Sequence, residues 1–187
     1  MDSHLTSNPQ YIVVHDACAR LDSAGIRYMV TGSMALCYFA EPRFTRDVDI
    51  IVDLESGDEK AFVRLFEAEY YISEDAVRNA IQKRSMFNAL HLKEAFKVDF
   101  IIRKKSIFNH IEFARRKYVD FNGINMSIIS KEDLIVAKML WAKESFSDTQ
   151  LRDVRSLLST GCDIDYVKNW VKSLNLDSIF ERAQRYE

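Results

Sequence analysis

The sequence predicts an α+β fold, in which a mixed sheet is flanked by helices and followed by a helical C-terminal part. As far as about residue 129, short Val- and Ile-rich runs typical of strands alternate with helical segments. From residue 130 onward the pattern is helical. A length of 187 residues allows one good core, or a main domain with a small helical appendage. We therefore expect an α/β core at residues 1–129 and a helical region at residues 130–187.

Capping residues, breakers and periodicity predict each element in turn. Asn8 with Pro9, Ser73 and Ser130 are typical of helix starts, and Asn122-Gly123 is typical of a tight hairpin turn. The predicted helices are residues 9–24, 34–40, 56–69, 73–84, 106–117, 131–144, 148–159, 164–173 and 177–186. The predicted strands are residues 26–30, 47–53, 86–92 and 96–103, and the two arms of a hairpin within residues 118–129.

Three carboxylates lie on two of the predicted strands. Asp47 and Asp49 are two residues apart in the segment DVDIIVD, so their side chains point to the same face. Asp99 lies in FKVDFII, and if the two strands are neighbours, the three carboxylates converge. Like charges resist such proximity unless a cation lies between them. Oxygen ligands without His or Cys nearby favour Mg²⁺ or Mn²⁺, and the four histidines show no metal-ligand spacing.

A Gly-Ser pair precedes the second predicted helix. Gly32 permits close approach of the backbone, Ser33 offers a hydroxyl, and the helix N-terminus presents N–H groups to an anion. Taken alone, such a pair is usually a turn with a cap, and an Asp-x-Asp at a strand start is usually solvent-facing. Their fixed order, followed by a third acidic strand, indicates a phosphate cradle next to a metal site.

The pattern Gly-Ser, thirteen residues, Asp-Val-Asp and a later Asp99 resembles that of the nucleotidyltransferase superfamily of the DNA polymerase β type. The loop Arg43-Phe44-Thr45-Arg46 resembles the R-x-T-x-D-x-D form of the bacterial minimal nucleotidyltransferase and AbiEii-like toxin group. The segment SKEDLIVAKMLWA also resembles a helix of that family, with Lys138 at its phosphate-contacting lysine. The sequence departs from the family at Arg152-Asp153, where relatives often carry Lys-Asp.

The resemblance implies a nucleotidyltransferase-like sheet and a role for each matched residue. Asp47, Asp49 and Asp99 would be catalytic and would bind the metal, with Asp99 able to accept the proton of the acceptor hydroxyl. Gly32 and Ser33 would hold the phosphates of an NTP, which is the substrate. Lys138 would add positive charge, and Arg43 and Arg46 would steady the phosphates or the loop. Lys138 is equally well interpreted as a structural lysine of the helix surface.

The acceptor and the partners stay open at this stage. Between Arg78 and Lys117 there are eleven Lys or Arg and three acids, which favours RNA or tRNA as acceptor. The resemblance to AbiEii-like toxins implies a toxin-antitoxin-like setting, with a cognate antitoxin or partner protein. Solvated helix faces explain the same charges equally well. A small-molecule (antibiotic-type) or protein acceptor, or a non-catalytic nucleotide-binding module, are the alternatives. Because the sequence lacks a signal peptide and a long apolar run, we expect a cytoplasmic protein with no membrane partner.

Overall fold

The fold is that of a mixed sheet with helices on both faces, which confirms the predicted α+β class. The computed structural model describes residues 8–41, 45 and 47–185. The strands are β1 (Tyr28–Val30), β2 (Asp47–Val52), β3 (Tyr70–Tyr71), β4 (Met86–His91), β5 (Phe96–Ile102), β6 (Lys117–Phe121) and β7 (Ile124–Ile128). The helices are α1 (Pro9–Ser23), α2 (Gly32–Phe39), α3 (Glu59–Phe66), α4 (Glu74–Lys83), α5 (Ile107–Ala114), α6 (Lys131–Ser145), α7 (Asp148–Ser159), α8 (Ile164–Ser173) and α9 (Asp177–Arg185).

The strands of the described residues form one seven-stranded sheet in the order β3-β4-β5-β2-β1-β7-β6. β2 runs parallel to β5 and antiparallel to β1, whereas β4 and β5 form an antiparallel pair. β6 and β7 form the predicted hairpin, with Asn122 and Gly123 both at positive φ in its turn. The sheet therefore brings β2 next to β5, although their paired residues, such as Asp49 and Asp99, are 50 positions apart in the sequence.

Most helices begin where the sequence predicts, because short polar side chains cap them. Asn8 accepts a hydrogen bond from Gln10 N at 3.0 Å, Ser73 accepts from Ala76 N, and Ser130 accepts from Asp133 N. One expectation needs correction. The helix predicted at residues 106–117 ends at Ala114, because the chain from Lys117 onward pairs with β7. The two-residue strand β3 was not predicted.

One face of the sheet is packed by a dense aromatic core. Phe62 of α3 makes edge-to-face contacts with Phe87 of β4 and Phe100 of β5, with ring centroids 5.4 and 5.1 Å apart. Side chains alternate along a strand, so the residues directly before and after Phe87 in β4 and Phe100 in β5 point to the opposite face. That opposite face carries the aspartates, with α2 against β2 at its side.

The helical region follows the sheet directly, since β7 ends at Ile128 and α6 begins at Lys131. α6 packs against α2, α7, α8 and α9, so it joins the helices of the C-terminal part to the sheet. The division into a core at 1–129 and a helical region at 130–187 stays a prediction. None of the helices within the described residues combines the length and the apolar character needed to cross a membrane.

Candidate active site

The parallel pairing of β2 with β5 determines the geometry of the site. Its register places Asp49 opposite Asp99 and Asp47 opposite Lys97. Paired residues on neighbouring strands project from the same face, with their backbones about 4.8 Å apart. The two strands are therefore neighbours, as the sequence analysis required, and the three aspartates share one face of the sheet.

The three carboxylates differ in exposure to solvent. Asp49 and Asp99 are 8% and 6% exposed, whereas the Asp47 side chain is half exposed. Burial, reinforced by the negative charge of Asp99, raises the pKa of Asp49 to about 6. The positive charges of Lys138 and Lys97 oppose this rise in pKa. Burial and the charge of Asp99 thus disfavour the ionised form of Asp49, and a bound cation would stabilise that form.

A lysine lies between two of the carboxylates. Lys97 Nζ donates a hydrogen bond to Asp99 Oδ2 at 2.8 Å and lies 3.3 Å from Asp47 Oδ1. These contacts raise the pKa of Lys97, the bond to Asp99 most of all. Lys97 is not among the site residues that the sequence predicted. The signal was available, because Lys97 is two residues before Asp99 and therefore shares its face.

Gly32 leaves the space that the Asp49 carboxylate occupies. Its φ is +62°, and a Cβ built there would lie 2.8 Å from Asp49 Cγ and closer still to Oδ2. Thr31 N donates a hydrogen bond to the backbone oxygen of Asp49 at 3.0 Å, which fixes the loop to β2. Ser33 is buried in the first turn of α2, and the Thr31 side chain does not cap this helix. The helix N-terminus is therefore adjacent to the aspartates.

The oxygen ligands of the site suit a divalent cation, but they are not assembled around one. Within the described part of the chain, no three His, Cys, Asp or Glu side chains form a ready-made metal-binding group. Asp99 Oδ1 is buried and has no hydrogen-bond partner among the described residues. A buried carboxylate oxygen in this condition is available for a hard cation such as Mg²⁺ or Mn²⁺. The residues fit such an ion once the Lys97 ammonium leaves Asp99.

Lys138 is buried between two helices of the C-terminal part. Its Nζ donates hydrogen bonds to Asp153 Oδ2 at 2.7 Å and Gln150 Oε1 at 3.1 Å, and its residue exposure is 2%. Asp153 belongs to the Arg152-Asp153 pair that departs from the family pattern. Lys138 is still close enough to Asp49 to lower its pKa. Its positive charge thus acts on the site from within the α6–α7 interface.

The loop before β2 is described only at Thr45. Asp47 N donates a hydrogen bond of 3.4 Å to Thr45 Oγ1, so this side chain contacts the first residue of the strand. The predicted phosphate-binding residues Arg43 and Arg46 lie outside the described residues.

The face of the sheet that carries the aspartates continues across β4 to β3 as an exposed surface. The register places Asn88 opposite Asp99, Leu90 opposite Lys97, and Tyr71 opposite Leu90. Asn88 is exposed, and Leu90 and Tyr71 are 41% and 71% exposed. Met86, on the same face, is 50% exposed. We call these four residues the open strand face; the sequence analysis did not identify it.

Comparison with known proteins places the fold among nucleotidyltransferases. No protein-family model matches the sequence, and no curated protein matches it significantly. The structure is similar to that of the antibiotic-resistance factor ANT(2'')-Ia, with a TM-score of 0.60 and 11% identity over 95% of this chain and 98% of that chain. It is similar to an antigenic nucleotidyltransferase-like protein from Paracoccidioides brasiliensis, with a TM-score of 0.55 and 15% identity over 94% and 92%.

A third similar structure is the lincosamide antibiotic adenylyltransferase LnuA with lincomycin bound, with a TM-score of 0.54 and 14% identity over 83% of this chain and 98% of that chain. At such low identity these likenesses establish the fold alone. The chain has the nucleotidyltransferase fold, as the sequence resemblance implied for the superfamily. The narrower resemblance to AbiEii-like toxins is not among these findings.

Proposed function

We propose that the protein is a Mg²⁺- or Mn²⁺-dependent nucleotidyltransferase that transfers an NMP from an NTP to a hydroxyl group, with release of pyrophosphate. The observation that carries the proposal is the register of β2 with β5. It sets Asp49 opposite Asp99, with Asp47 on the same face, next to the N-terminus of α2. Carboxylates at this spacing suit the binding of divalent cations, and the helix N-terminus suits the binding of phosphate.

The aspartates have separate roles in this reaction. Asp47, Asp49 and Asp99 hold the metal, which when bound neutralises phosphate charge and lowers the pKa of the acceptor hydroxyl. Asp99 also accepts the proton of that hydroxyl. The hydroxyl oxygen then bonds to the α-phosphorus, while the bond between the α-phosphorus and the oxygen that bridges to the β-phosphate breaks and pyrophosphate leaves. The Oδ1 atom of Asp99 supports this role, since it is a buried carboxylate oxygen that has no hydrogen-bond partner among the described residues.

Positive groups around α2 hold the phosphates of the NTP. The backbone N–H groups of Gly32 and Ser33 cradle the β- and γ-phosphates at the start of the helix. Lys138 adds positive potential from the α6–α7 interface, where Asp153 and Gln150 fix its ammonium. Arg43 and Arg46, which lie outside the described residues, keep their proposed role in binding the phosphates.

The acceptor binds on the open strand face. Asn88 is the neighbour of Asp99 in the register, so a molecule lying on Tyr71, Leu90 and Met86 presents its hydroxyl to the aspartates. The four residues of this surface are uncharged. They favour a small hydroxylated acceptor with an apolar face over a polyanion. Two of the similar structures, an antibiotic-resistance factor and a lincosamide antibiotic adenylyltransferase, agree with an acceptor of this class.

The basic stretch gives less support to RNA in the structure than in the sequence. At least six of its eleven cations form ion pairs with acids, so much of their charge is neutralised internally. They are Arg78, Arg84, Lys97, Arg103, Lys105 and Arg115. Nonspecific RNA binding depends on cations that are free to contact phosphates. We therefore do not propose RNA or tRNA, a protein acceptor or a cognate antitoxin. The test described next would still reveal RNA or protein as the acceptor.

The test is transfer of label from each α-³²P-labelled NTP in the presence of Mg²⁺. Three acceptor sets are compared: total tRNA, a protein lysate, and a panel of hydroxylated small molecules resolved by thin-layer chromatography. The matched variant is Asp49→Asn, which keeps the shape of the side chain but removes its charge. Label on a small molecule that disappears in the variant supports the proposal. Label on RNA or protein replaces the acceptor class, and no label with any acceptor contradicts the proposed activity.

A further inference from the structure

Lys97 occupies the place of a cation in the candidate active site. Its ammonium is within 2.8 Å of Asp99 and 3.3 Å of Asp47, the two carboxylates that flank it on the sheet face. Asp49, opposite Asp99, lies on the same face. One ammonium therefore partly neutralises a group of carboxylates that would otherwise repel one another.

The ion pair between Lys97 and Asp99 leaves one oxygen of the Asp99 carboxylate without a hydrogen bond, unlike a typical structural ion pair. Asp99 is 6% exposed, yet among the described residues its Oδ1 has no hydrogen-bond partner. A buried carboxylate in a purely structural role normally has both oxygens satisfied. The Lys97 side chain is 40% exposed, so its ammonium has a path to solvent without any rearrangement of the sheet.

We propose that Lys97 is a positioning residue that acts as an exchangeable internal counter-ion: it holds the aspartates together without metal and withdraws to solvent when a divalent cation binds. This inference rests on the proposed function, since it assumes that the aspartates bind the metal. Lys97 and the metal then compete for the same oxygens. The affinity for the metal is therefore lower than it would be without Lys97. In the absence of metal, Lys97 reduces the repulsion among the three carboxylates.

The experiment measures Mn²⁺ binding without nucleotide, by electron paramagnetic resonance of the free ion. Lys97→Met removes the competing charge, and we expect its Kd for Mn²⁺ to be about three- to tenfold lower than that of the wild type, as for loss of a partly exposed ion pair. Lys97→Arg keeps the positive charge, and because a guanidinium also pairs with carboxylates, we expect its Kd to be no lower than that of the wild type. Lys93→Met removes an exposed lysine from the turn between β4 and β5, and its Kd is unchanged. Lys97→Gln replaces Lys97→Met if circular dichroism shows that the latter does not fold.

Each outcome of this experiment is decisive. A lower Kd in Lys97→Met, with Lys93→Met at the wild-type value and Lys97→Arg at or above it, supports competition. An equal or higher Kd in Lys97→Met overturns the role of Lys97 and leaves the proposed function standing. An absence of Mn²⁺ binding in the wild type and in every variant contradicts the metal-dependent function itself, and the inference about Lys97 fails with it.

Discussion

Substitution of Gly32 tests how closely the Gly-Ser turn is built around Asp49. Gly32→Ala has two separable costs. The first is the positive φ of +62°, which costs an alanine about 1–2 kcal/mol. The second is contact with Asp49, since the new Cβ would lie 2.8 Å from its Cγ. Forced displacement of a packed side chain typically costs about 1–3 kcal/mol. We therefore expect a total loss of about 2–5 kcal/mol in the free energy of unfolding.

The chain contains a matched control for the first cost. Gly25 has a φ of +65°, nearly that of Gly32, and a Cβ there would meet nothing within 4 Å. Gly25→Ala thus measures the cost of positive φ alone, and we expect about 1–2 kcal/mol from urea denaturation. The difference between the two substitutions measures the contact with Asp49.

A double-mutant cycle links this difference to the carboxylate. In an Asp49→Ala background the clashing carboxylate is removed, although the Cβ of residue 49 remains 3.0 Å from the new methyl group. We expect Gly32→Ala to cost about the same as Gly25→Ala in that background, within about 1 kcal/mol. Equal costs of the two glycine substitutions in the wild type would refute the reasoning, because Gly32 would then serve the turn alone.

Three further predictions concern other parts of the chain. Lys138→Met leaves buried Asp153 without the ammonium, and we expect urea denaturation to show a free energy of unfolding lower by about 3–5 kcal/mol. The double variant Lys138→Met with Asp153→Leu should lose clearly less, because no buried charge is left without its counter-ion. Equal losses in the two variants would contradict this prediction. Burial raises the pKa of Glu112 from 4.5 to about 7, so between these pH values the folded state holds a proton that the unfolded state has lost. The free energy of unfolding therefore falls by up to about 3 kcal/mol as the pH rises from 4.5 to 7, and this contribution is constant above pH 7. Glu112→Gln removes this slope in urea titrations at several pH values; an unchanged slope would exclude Glu112 as its source. Tyr71→Ala removes an exposed ring from the open strand face and raises the KM for the acceptor several-fold with the KM for NTP unchanged; the reverse pattern would place the nucleotide there.

Local signals in the sequence predicted the elements well. The caps Asn8, Ser73 and Ser130 work through contacts within three residues, and the Asn122-Gly123 turn depends on its own backbone preferences. The alternation of side chains also predicted that Asp47 and Asp49 share a face, and the structure agrees. The fold class was predicted for the same reason, since it follows from the order of elements.

Features that depend on pairing distant segments were beyond the sequence. The parallel register that sets Asp49 opposite Asp99 depends on how β5 inserts between β4 and β2, which no local pattern specifies. The Lys97 contact follows from that register. The pairing of Lys138 with Asp153 depends on how two helices pack, so periodicity showed a lysine on a helix but not its burial. The roles given to the site residues stay predictions.

Catalysis of nucleotidyl transfer by the aspartates is tested by finding which phosphate of the NTP, α or γ, reaches the acceptor. The protein is incubated with Mg²⁺ and an acceptor together with one NTP, labelled with ³²P either at the α- or at the γ-phosphate. We expect that the acceptor gains the α-label alone, that the γ-label is recovered as pyrophosphate, and that Asp49→Asn abolishes both products. Gain of the γ-label by the acceptor would identify a kinase instead, and transfer that survives in Asp49→Asn would exclude these carboxylates from the chemistry.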